Sequence, residues 1–331
     1  MDVPTWLWWS TVLITTGLLL VDVFVIGRRP HEPSQREVAF SLAFFIGLAI
    51  LFGIGVWVFA GPQYGGEFFA GWLTEYSLSV DNLFIFIIIM TKLQVPRQYQ
   101  QTALLIGIVL ALVMRGLFIA VGAAAIEQFS WIFYFFGLFL VWTAYKLAKD
   151  DDLDETQYDE PRIVSFARNH LPFSSEWNGV KLTVREGGKR LFTPMFIVVL
   201  SLGMTDLLFA LDSIPAIYGL TSEPYLVFTA NVFALMGLRQ LYFLIGDLLQ
   251  RMVYLSYGLA FLLFFIGVKL ILHAMHTNEV PFINGGKPIE WAPEIPIWLS
   301  LIVIVGTLAV TAIASLAKDR SVRLAAERSS E

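Results

Sequence analysis

Cysteine is missing from the sequence, which has none among its 331 residues. Disulfides, thiolate metal sites and cysteine nucleophiles are therefore excluded. A Walker-type phosphate-binding loop, G-x-x-x-x-G-K-S/T, is also missing, and this argues against a built-in ATPase. Charged residues are scarce, at 15% of the chain, whereas water-soluble domains carry about 25%. These absences argue against a soluble protein and against thiol chemistry, and we expect no enzyme activity.

Long apolar runs take the place of the missing charge. Hydrophobic residues make up 57% of the chain and come in blocks of about 20, long enough to cross a hydrocarbon core of about 30 Å. Alternating strand-length segments, which are typical of a membrane barrel, are not seen. We therefore predict an all-α, multi-pass protein of the cytoplasmic (inner) membrane, with one transmembrane domain over residues 1–331. The nine predicted spans are 6–27, 38–61, 68–91, 102–126, 129–148, 193–219, 225–247, 252–273 and 297–317.

Basic residues are distributed unequally between the predicted loops. Eighteen of the 22 lysines and arginines fall on one side of the membrane, one on the other, and three within spans. Because cytoplasmic loops carry the excess of lysine and arginine, we predict an outside N-terminus and a cytoplasmic C-terminus.

The longest predicted loop, about 149–192, then lies in the cytoplasm. It opens with "KDDDLDETQYDE", which indicates a solvated acidic linker, with a weak cation-collecting surface as the alternative. Further along, "KLTVREGGKRLF" alternates around Glu-Gly-Gly and predicts a small β-hairpin.

An internal repeat is the most informative feature of the chain. "EYSLSVDNLF" in span three can be aligned with "DLLFALDSIP" in span six. Both segments read as an acid, five residues, an aspartate, and then a small polar side chain. The matched positions are Glu75 with Asp206, Asp81 with Asp212, and Asn82 with Ser213.

The alignment continues in the same order through the next two spans. "MRGLFIAVG" resembles "LRQLYFLIG" and pairs Arg115 with Arg239, while "AYKL" resembles "VKLI" and pairs Lys146 with Lys269. Repeat one therefore covers about 68–148 and repeat two about 193–273, and a last helix follows at about 297–317. Because three spans are an odd number, the repeats are predicted to be inverted, as in many secondary transporters, with their acids meeting near the midplane.

Carboxylates are costly in such spans. A charged acid at a helix centre costs about 2.5–3.5 kcal/mol, so four unpaired acids would cost about 10–14 kcal/mol. Arg115 and Arg239 could neutralise two of them, but not all four, nor Asp22 in span one. We therefore predict a functional site, with the two arginines as charge partners or gating residues.

The donors available to this site are oxygens, to which Asn231 in span seven adds an amide. Such a set favours a hard divalent cation, Mn²⁺, Ca²⁺ or Mg²⁺, over Zn²⁺ or Cu⁺. Glu75 and Asp81 are six residues apart, about 240° around a helix, so both can face one site only at a helix break or among several helices. Pro215 favours a break beside Asp212. Carboxylates bind either metal or protons, so exchange with inward protons could drive export.

These segments resemble the TerC family of membrane proteins, especially its Alx-like branch. The resemblance extends over nearly the whole chain and is most specific in "EYSLSVDNLFIF" and "FALDSIPAIYGLT". It implies a nine-helix fold related to the LysE-type transporters, with Mn²⁺ efflux and manganese homeostasis as the role. Protons and the bilayer would be the other partners, with no permanently bound cofactor and no nucleic acid. The family is also associated with tellurium-ion resistance.

The resemblance also implies which residues line the ion site. Gly203 marks one departure, since relatives often carry a glutamate three residues before Asp206. The site would then have one acid fewer. The implied ion-site residues are Glu75, Asp81, Asn82, Asp206, Asp212 and Ser213, with Asp22 and Asn231 as additional members.

Other classes of function remain open at this point. Some plant relatives are linked to membrane-protein insertion, and an insertion factor or scaffold would need a hydrophilic groove open to lipid. A tellurium-resistance protein without direct metal transport is a further alternative. A retinal protein is disfavoured, because its Schiff-base candidate Lys269 lies near a span end and nine spans do not fit a seven-helix rhodopsin.

Overall fold

The part of the chain that the computed structural model describes contains ten α-helices, a short 3-10 helix (Asn284–Gly286) and one two-stranded sheet. The described residues are 3–27, 34–129, 131–149, 162–174, 176–186, 188–249, 254–278, 280–281, 283–289 and 291–330. The helices are α1 (Thr5–Gly27), α2 (Gln35–Ala60), α3 (Pro62–Lys92), α4 (Arg97–Gln128), α5 (Ile132–Lys149), α6 (Arg162–His170), α7 (Pro194–Tyr218), α8 (Pro224–Leu249), α9 (Leu255–His276) and α10 (Ile297–Ser330). The strands are β1 (Thr183–Glu186) and β2 (Lys189–Phe192).

Most of these helices have the length and composition of membrane spans. Seven described helices are long and apolar enough to cross a membrane, namely α2, α4, α5, α7, α8, α9 and α10. The remaining two predicted spans correspond to α1, with 23 residues, and α3, with 31 residues. The chain is therefore a mostly helical, polytopic membrane protein, as the apolar runs predicted.

The predicted hairpin is confirmed. Strand β1 pairs with β2 in antiparallel register, with Glu186 opposite Lys189 at the turn end. The backbone N–H of Thr193 donates to the carbonyl of Leu182 at 3.1 Å, which ties the hairpin to the start of α7. The short helix α6 also lies in the predicted 149–192 loop. Most of the acidic stretch, at 150–161, lies outside the described residues.

Pro215 does not break its helix. Helix α7 is continuous through Pro215 and ends at Tyr218, so the break favoured by the sequence beside Asp212 is not found in this described segment. Pro215 lies in the last turn, so the one hydrogen bond that its missing N–H removes falls close to the helix end, and its carbonyl still accepts from Gly219 N–H at 3.0 Å. The acids must therefore meet through the packing of several helices.

The helices of the two predicted repeats interleave. Helix α3 packs on α8, and α4 packs on α7, while α5 packs along α9. Helices α3 and α7 also touch each other, as do α4 and α8. The helices of the two repeats correspond as α3 to α7, α4 to α8 and α5 to α9. If each helix is replaced by its counterpart, the same set of contacts is obtained. Residues of α3, α4, α7 and α8 consequently meet in the centre of the bundle.

Two glycines allow α5 and α9 to approach closely. A Cβ atom built on Gly137 would lie 2.8 Å from the carbonyl oxygen of Gly267, and one built on Gly267 would lie 2.9 Å from that of Gly137. Small residues at such crossings let membrane helices pack backbone to backbone.

We expect Gly267→Leu to loosen this crossing. The added side chain would overlap α5, and overpacking of this kind costs about 1–3 kcal/mol, or about 2–4 °C of melting temperature per kcal/mol. The matched control is Gly47→Leu on α2, because a Cβ at Gly47 meets no atom within 4 Å. Thermal unfolding in detergent distinguishes the two variants, and equal melting temperatures would show that the α5–α9 crossing does not limit stability.

Candidate functional site

Arg115 lies at the centre of the bundle and is fully buried. It projects from the middle of α4 towards Asp206 on α7. Its Nε donates to Asp206 Oδ2 at 2.9 Å, and its Nη2 donates to Asp206 Oδ1 at 3.1 Å. This two-pronged pairing fixes the plane of the guanidinium, because arginine presents its donors as a rigid fork.

The remaining terminal nitrogen of Arg115 joins the other helices to this pair. Its Nη1 donates to Glu75 Oε1 on α3, to Asn231 Oδ1 on α8 at 2.8 Å, and to Ser213 Oγ on α7 at 3.2 Å. Four helices of the two predicted repeats therefore contribute to one buried cluster. We call these five residues the Arg115 cluster: Glu75, Arg115, Asp206, Ser213 and Asn231.

Helical spacing explains how the short motifs supply the cluster. Asp206 and Ser213 are seven residues apart, about two turns, so they share one face of α7. On α3, Ser79 lies one turn beyond Glu75 and donates to its Oε1 at 3.4 Å. The Asn231 amide nitrogen donates to the Val227 carbonyl at 3.4 Å, which directs the amide oxygen towards Arg115.

The cluster is not neutral when both acids are ionised, because one guanidinium faces two carboxylates. Glu75 Oε2 is buried and has no hydrogen-bond partner among the described residues. Thr74 and Thr205, which directly precede the two acids, also bury hydroxyls without a partner in the described structure. With both acids ionised, the cluster would carry one excess negative charge, and Glu75 Oε2 is an oxygen that could accept a proton or a cation.

Asp212 lies outside this cluster, in an adjoining cavity of about 200 Å³ that we call the inner cavity. Its Oδ1 accepts a hydrogen bond from Thr143 Oγ1 on α5 at 3.1 Å. Asn82 and Lys146 line the same cavity, and so does Ser213, which also accepts from Arg115. Asp212 and Asn82 are therefore next to the Arg115 cluster, connected to it through Ser213.

Arg239 occupies a different environment from Arg115, although the repeat pairs them. It lines a small cavity with Glu37 of α2, Gln101 of α4 and Gln240. Arg115 is the arginine that donates to Glu75 and Asp206. Arg239 lies beside α2 and α4, away from the Arg115 cluster, and its role as a charge partner or gating residue stays a prediction.

Two predicted site residues lie on described helices but have undescribed side chains. Asp22 belongs to α1 and Asp81 to α3, and their assignment to the ion site stays a prediction. Gly203 is buried against α4, where an added Cβ would overlap the side chain of Leu110. At this position, where the resemblance led us to expect a glutamate, the structure has a close contact between α7 and α4.

The sequence did not identify all the polar residues at the site. Ser79, Thr143, Thr74 and Thr205 were missed. Thr74 and Thr205 occupy matching positions of the repeat, so extending the alignment by one residue would have found them. Among the described side chains, no group of three histidines or acids is arranged to hold a metal ion. Arg115 takes the position between the carboxylates that a cation would need.

The fold and the site define a polytopic helical membrane protein with a buried guanidinium between acids from two sequence-related segments. The chain belongs to the TerC family of integral membrane proteins, whose family model matches residues 60–323. The resemblance seen in the sequence is thereby confirmed.

Relatives are similar over nearly the whole chain. An uncharacterized membrane protein of Mycobacterium tuberculosis is 48% identical over 311 residues, which are 93% of this chain and 78% of the relative. One of Myxococcus xanthus is 35% identical over 314 residues, 95% of this chain and 93% of the relative. The Escherichia coli protein named "Putative membrane-bound redox modulator Alx" is 34% identical over 315 residues, 92% of each chain. No solved structure matches the chain.

Proposed function

We propose that this chain is a divalent-cation exporter of the cytoplasmic membrane, with Mn²⁺ as its principal substrate and protons as the exchanged ion. The observation that carries the proposal is Arg115, buried between Glu75 and Asp206. A membrane protein that keeps two acids in its core needs a positive charge beside them. The guanidinium of Arg115 supplies that charge and is part of the protein itself. The transported cation would take its place.

The mechanism follows from competition for the same oxygens. When Arg115 withdraws, the carboxylates of Glu75 and Asp206 remain, together with the oxygens of Asn231 and Ser213. Carboxylate, amide and hydroxyl oxygens suit hard divalent cations. Protons arriving from outside neutralise the carboxylates and release the cation, after which Arg115 returns as one acid ionises again.

The energetics favour two protons per cation. Moving a 2+ ion outward against 100 mV, inside negative, costs about 4.6 kcal/mol, which is twice the single-charge value. Two protons moving inward return the same amount, so this exchange is electroneutral and a pH gradient alone drives it. The cluster has two carboxylates, Glu75 and Asp206, to bind those protons.

The topology of the proposal has nine spans, an outside N-terminus, a cytoplasmic C-terminus, and inverted repeats at about 68–148 and 193–273. Its support is the set of helix contacts that is unchanged when the helices of the two repeats are exchanged. Opposite insertion of the two repeats explains why acids from equivalent segments approach the same guanidinium. The substrate preference for Mn²⁺ rests on the TerC resemblance, because the oxygen donors would also accept Mg²⁺ or Ca²⁺.

A membrane insertion factor is the less favoured candidate. Such a protein needs a hydrophilic groove open to lipid, whereas Glu75 and Arg115 are 0% exposed and Asp206 is 1% exposed. The redox role in the printed name of the Alx relatives is another candidate for this chain. It could not use thiols here, because the sequence has no cysteine.

Flux measurements test the proposal directly. In proteoliposomes with an imposed pH gradient, the purified protein should move Mn²⁺ in the direction opposite to the proton flow. The rate of Mn²⁺ movement should fall when the gradient is abolished. Excess Mg²⁺ or Ca²⁺ should compete less strongly than unlabelled Mn²⁺. Absence of gradient-driven flux for all three ions would refute the exporter and favour the insertion or redox candidates.

A further inference from the structure

A second polar cavity, of about 640 Å³, lies away from the Arg115 cluster, and we call it the outer cavity. It is bordered by the beginning of α3, the segment after α7, the last turns of α9 and the beginning of α10. The inner cavity is lined further along α3 and near the beginning of α9. The two cavities therefore lie towards opposite ends of α3 and α9, and in the proposed orientation this one faces outside.

The outer cavity contains a buried carboxylate that is held in place. Glu67 is 9% exposed. Thr221 Oγ1 donates to Glu67 Oε2 at 2.6 Å, and Gln63 Nε2 donates to Glu67 Oε1 at 3.1 Å. Both oxygens of Glu67 are thereby held in place by hydrogen bonds at the wall of this cavity, and their partners satisfy the buried carboxylate.

An amine faces the same cavity. Lys269 lines it from α9, and its Nζ donates to Ser300 Oγ of α10 at 3.3 Å. The same cavity therefore contains an acid and a flexible cation, which is the combination that Asp212 and Lys146 form in the inner cavity.

The two lysines are related by the sequence repeat. The repeat pairs Lys146 with Lys269, which stand at matching positions in "YKL" (145–147) and "VKL" (268–270). They lie on α5 and α9, the two helices that exchange with each other when the repeats are exchanged. Repeat one thus places Lys146 at the inner cavity, which contains Asp212, and repeat two places Lys269 at the outer cavity, which contains Glu67. The two cavities lie on opposite sides of the Arg115 cluster.

The outer cavity is separated from the cluster by tight apolar packing. Glu67 precedes Glu75 by eight residues, about 12 Å along α3. Between them lies Gly71, where an added Cβ would be 3.2 Å from Ile217 and 3.5 Å from Ala230. The inner cavity, in contrast, reaches Ser213 and hence Arg115. The Arg115 cluster is therefore connected to the inner cavity through Ser213, whereas packed residues around Gly71 separate it from the outer cavity.

We propose that the outer cavity is a second binding site for the exported divalent cation, with Glu67 as its ligand and Lys269 as the tethered cation that displaces it outward. The inference rests on the proposed export function, and it adds the last site on the outward path. Lys269 would act on Glu67 through its charge, from the same cavity, whereas Arg115 donates hydrogen bonds directly to Glu75 and Asp206.

Flux kinetics supply the first test. Glu67→Gln should weaken the affinity for Mn²⁺ offered from the outer side by about tenfold or more, since even outer-shell partners of metal sites are worth about 10–100-fold. Lys269→Gln should strengthen that affinity, because the competing amine is gone. Glu67→Asp should restore part of the loss, and Lys287→Gln, an exposed lysine of the same side, should match the wild type.

Labelling supplies a test that does not depend on transport. Because the chain has no cysteine, Ser222→Cys in the outer cavity is the one thiol that an impermeant maleimide can reach. Saturating Mn²⁺ should slow its labelling several-fold, and adding Glu67→Gln should remove that protection. Asn284→Cys is the control, because Asn284 is exposed on the segment after α9. Its labelling rate should be the same with and without Mn²⁺, and with and without Glu67→Gln.

The outcomes separate the two proposals. Wild-type flux with unchanged kinetics in Glu67→Gln, or Mn²⁺ protection that persists in Glu67→Gln, would overturn the outer site and leave the exporter standing. Absence of wild-type flux would refute the exporter, while the labelling result would still decide whether Glu67 binds the cation.

Discussion

Arg115→Gln is expected to unfold easily in metal-free buffer and to recover stability when Mn²⁺ is added. Arg115 donates to both acids of the cluster, so its removal leaves Glu75 and Asp206 facing each other in a buried space. Removing one partner of a buried ion pair costs about 3–5 kcal/mol. A bound 2+ ion restores the missing positive charge, which the neutral glutamine does not.

Thermal unfolding in detergent, with chelator or with Mn²⁺, measures this effect. A ligand that binds only the folded state stabilises it by about 2.7 kcal/mol at one hundred times its Kd. The variant should therefore gain more from Mn²⁺ than the wild type, in which Arg115 already occupies the site. Arg185→Gln, on the exposed hairpin, is the matched control and should gain as much stability from Mn²⁺ as the wild type does. Arg115→Lys serves as a second variant, because it retains a cation.

Two results would contradict this reading of Arg115. The first is equal stabilisation of wild type and Arg115→Gln by Mn²⁺. The second is an Arg115→Gln protein as stable as the wild type in chelator, which would mean that the acids do not need a cation. Either result would make Arg115 a conventional structural residue.

Asp206→Asn is expected to abolish gradient-driven Mn²⁺ flux, with a decrease of about 100-fold or more. The substitution keeps the size of the side chain and one oxygen for Arg115, but it removes a carboxylate that the proposal uses for both metal and proton. Loss of even an outer-shell partner costs about 10–100-fold in metal sites, and a direct ligand is worth at least as much. The two-pronged pairing with Arg115 also becomes a single hydrogen bond.

The flux assay needs a control acid outside the membrane. Glu176→Gln removes an exposed charge and should transport as the wild type does. Asp206→Glu keeps the charge and should retain partial activity. If Asp206→Asn transported at the wild-type rate, the Arg115 cluster would not be on the ion path, and Asp212 in the inner cavity would become the candidate site.

Sequence patterns predicted the helical framework well because the bilayer imposes a length on every span. Apolar blocks of about 20 residues located the nine helices of 18 residues or more in the described part of the chain, and the alternation around Glu-Gly-Gly located the hairpin. Helix ends were less predictable. Helix α10 extends to Ser330, beyond the predicted end at 317, because its polar continuation can stay helical outside an apolar environment.

The repeat, with Asn231 added from span seven, predicted residues that meet, but not how they divide between sites. Glu75, Asp206, Ser213 and Asn231 come together as expected. Asp212 points into the neighbouring cavity, because it follows Asp206 by six residues and so faces about 240° away around the helix. That consequence was available from spacing alone. Which of the two arginines, Arg115 or Arg239, pairs with Glu75 and Asp206 depends on which helices contact α4. A single sequence does not contain that information.

Binding of Mn²⁺ to the purified protein, followed by the loss of its free-ion electron paramagnetic resonance signal, tests the central claim most directly. The account predicts that the wild type binds Mn²⁺ at neutral pH and releases it on acidification. It predicts that Asp206→Asn loses this binding and that Arg115→Gln binds more tightly. Wild-type binding that is unchanged in Asp206→Asn would contradict the account, because the cation would then bind outside the Arg115 cluster.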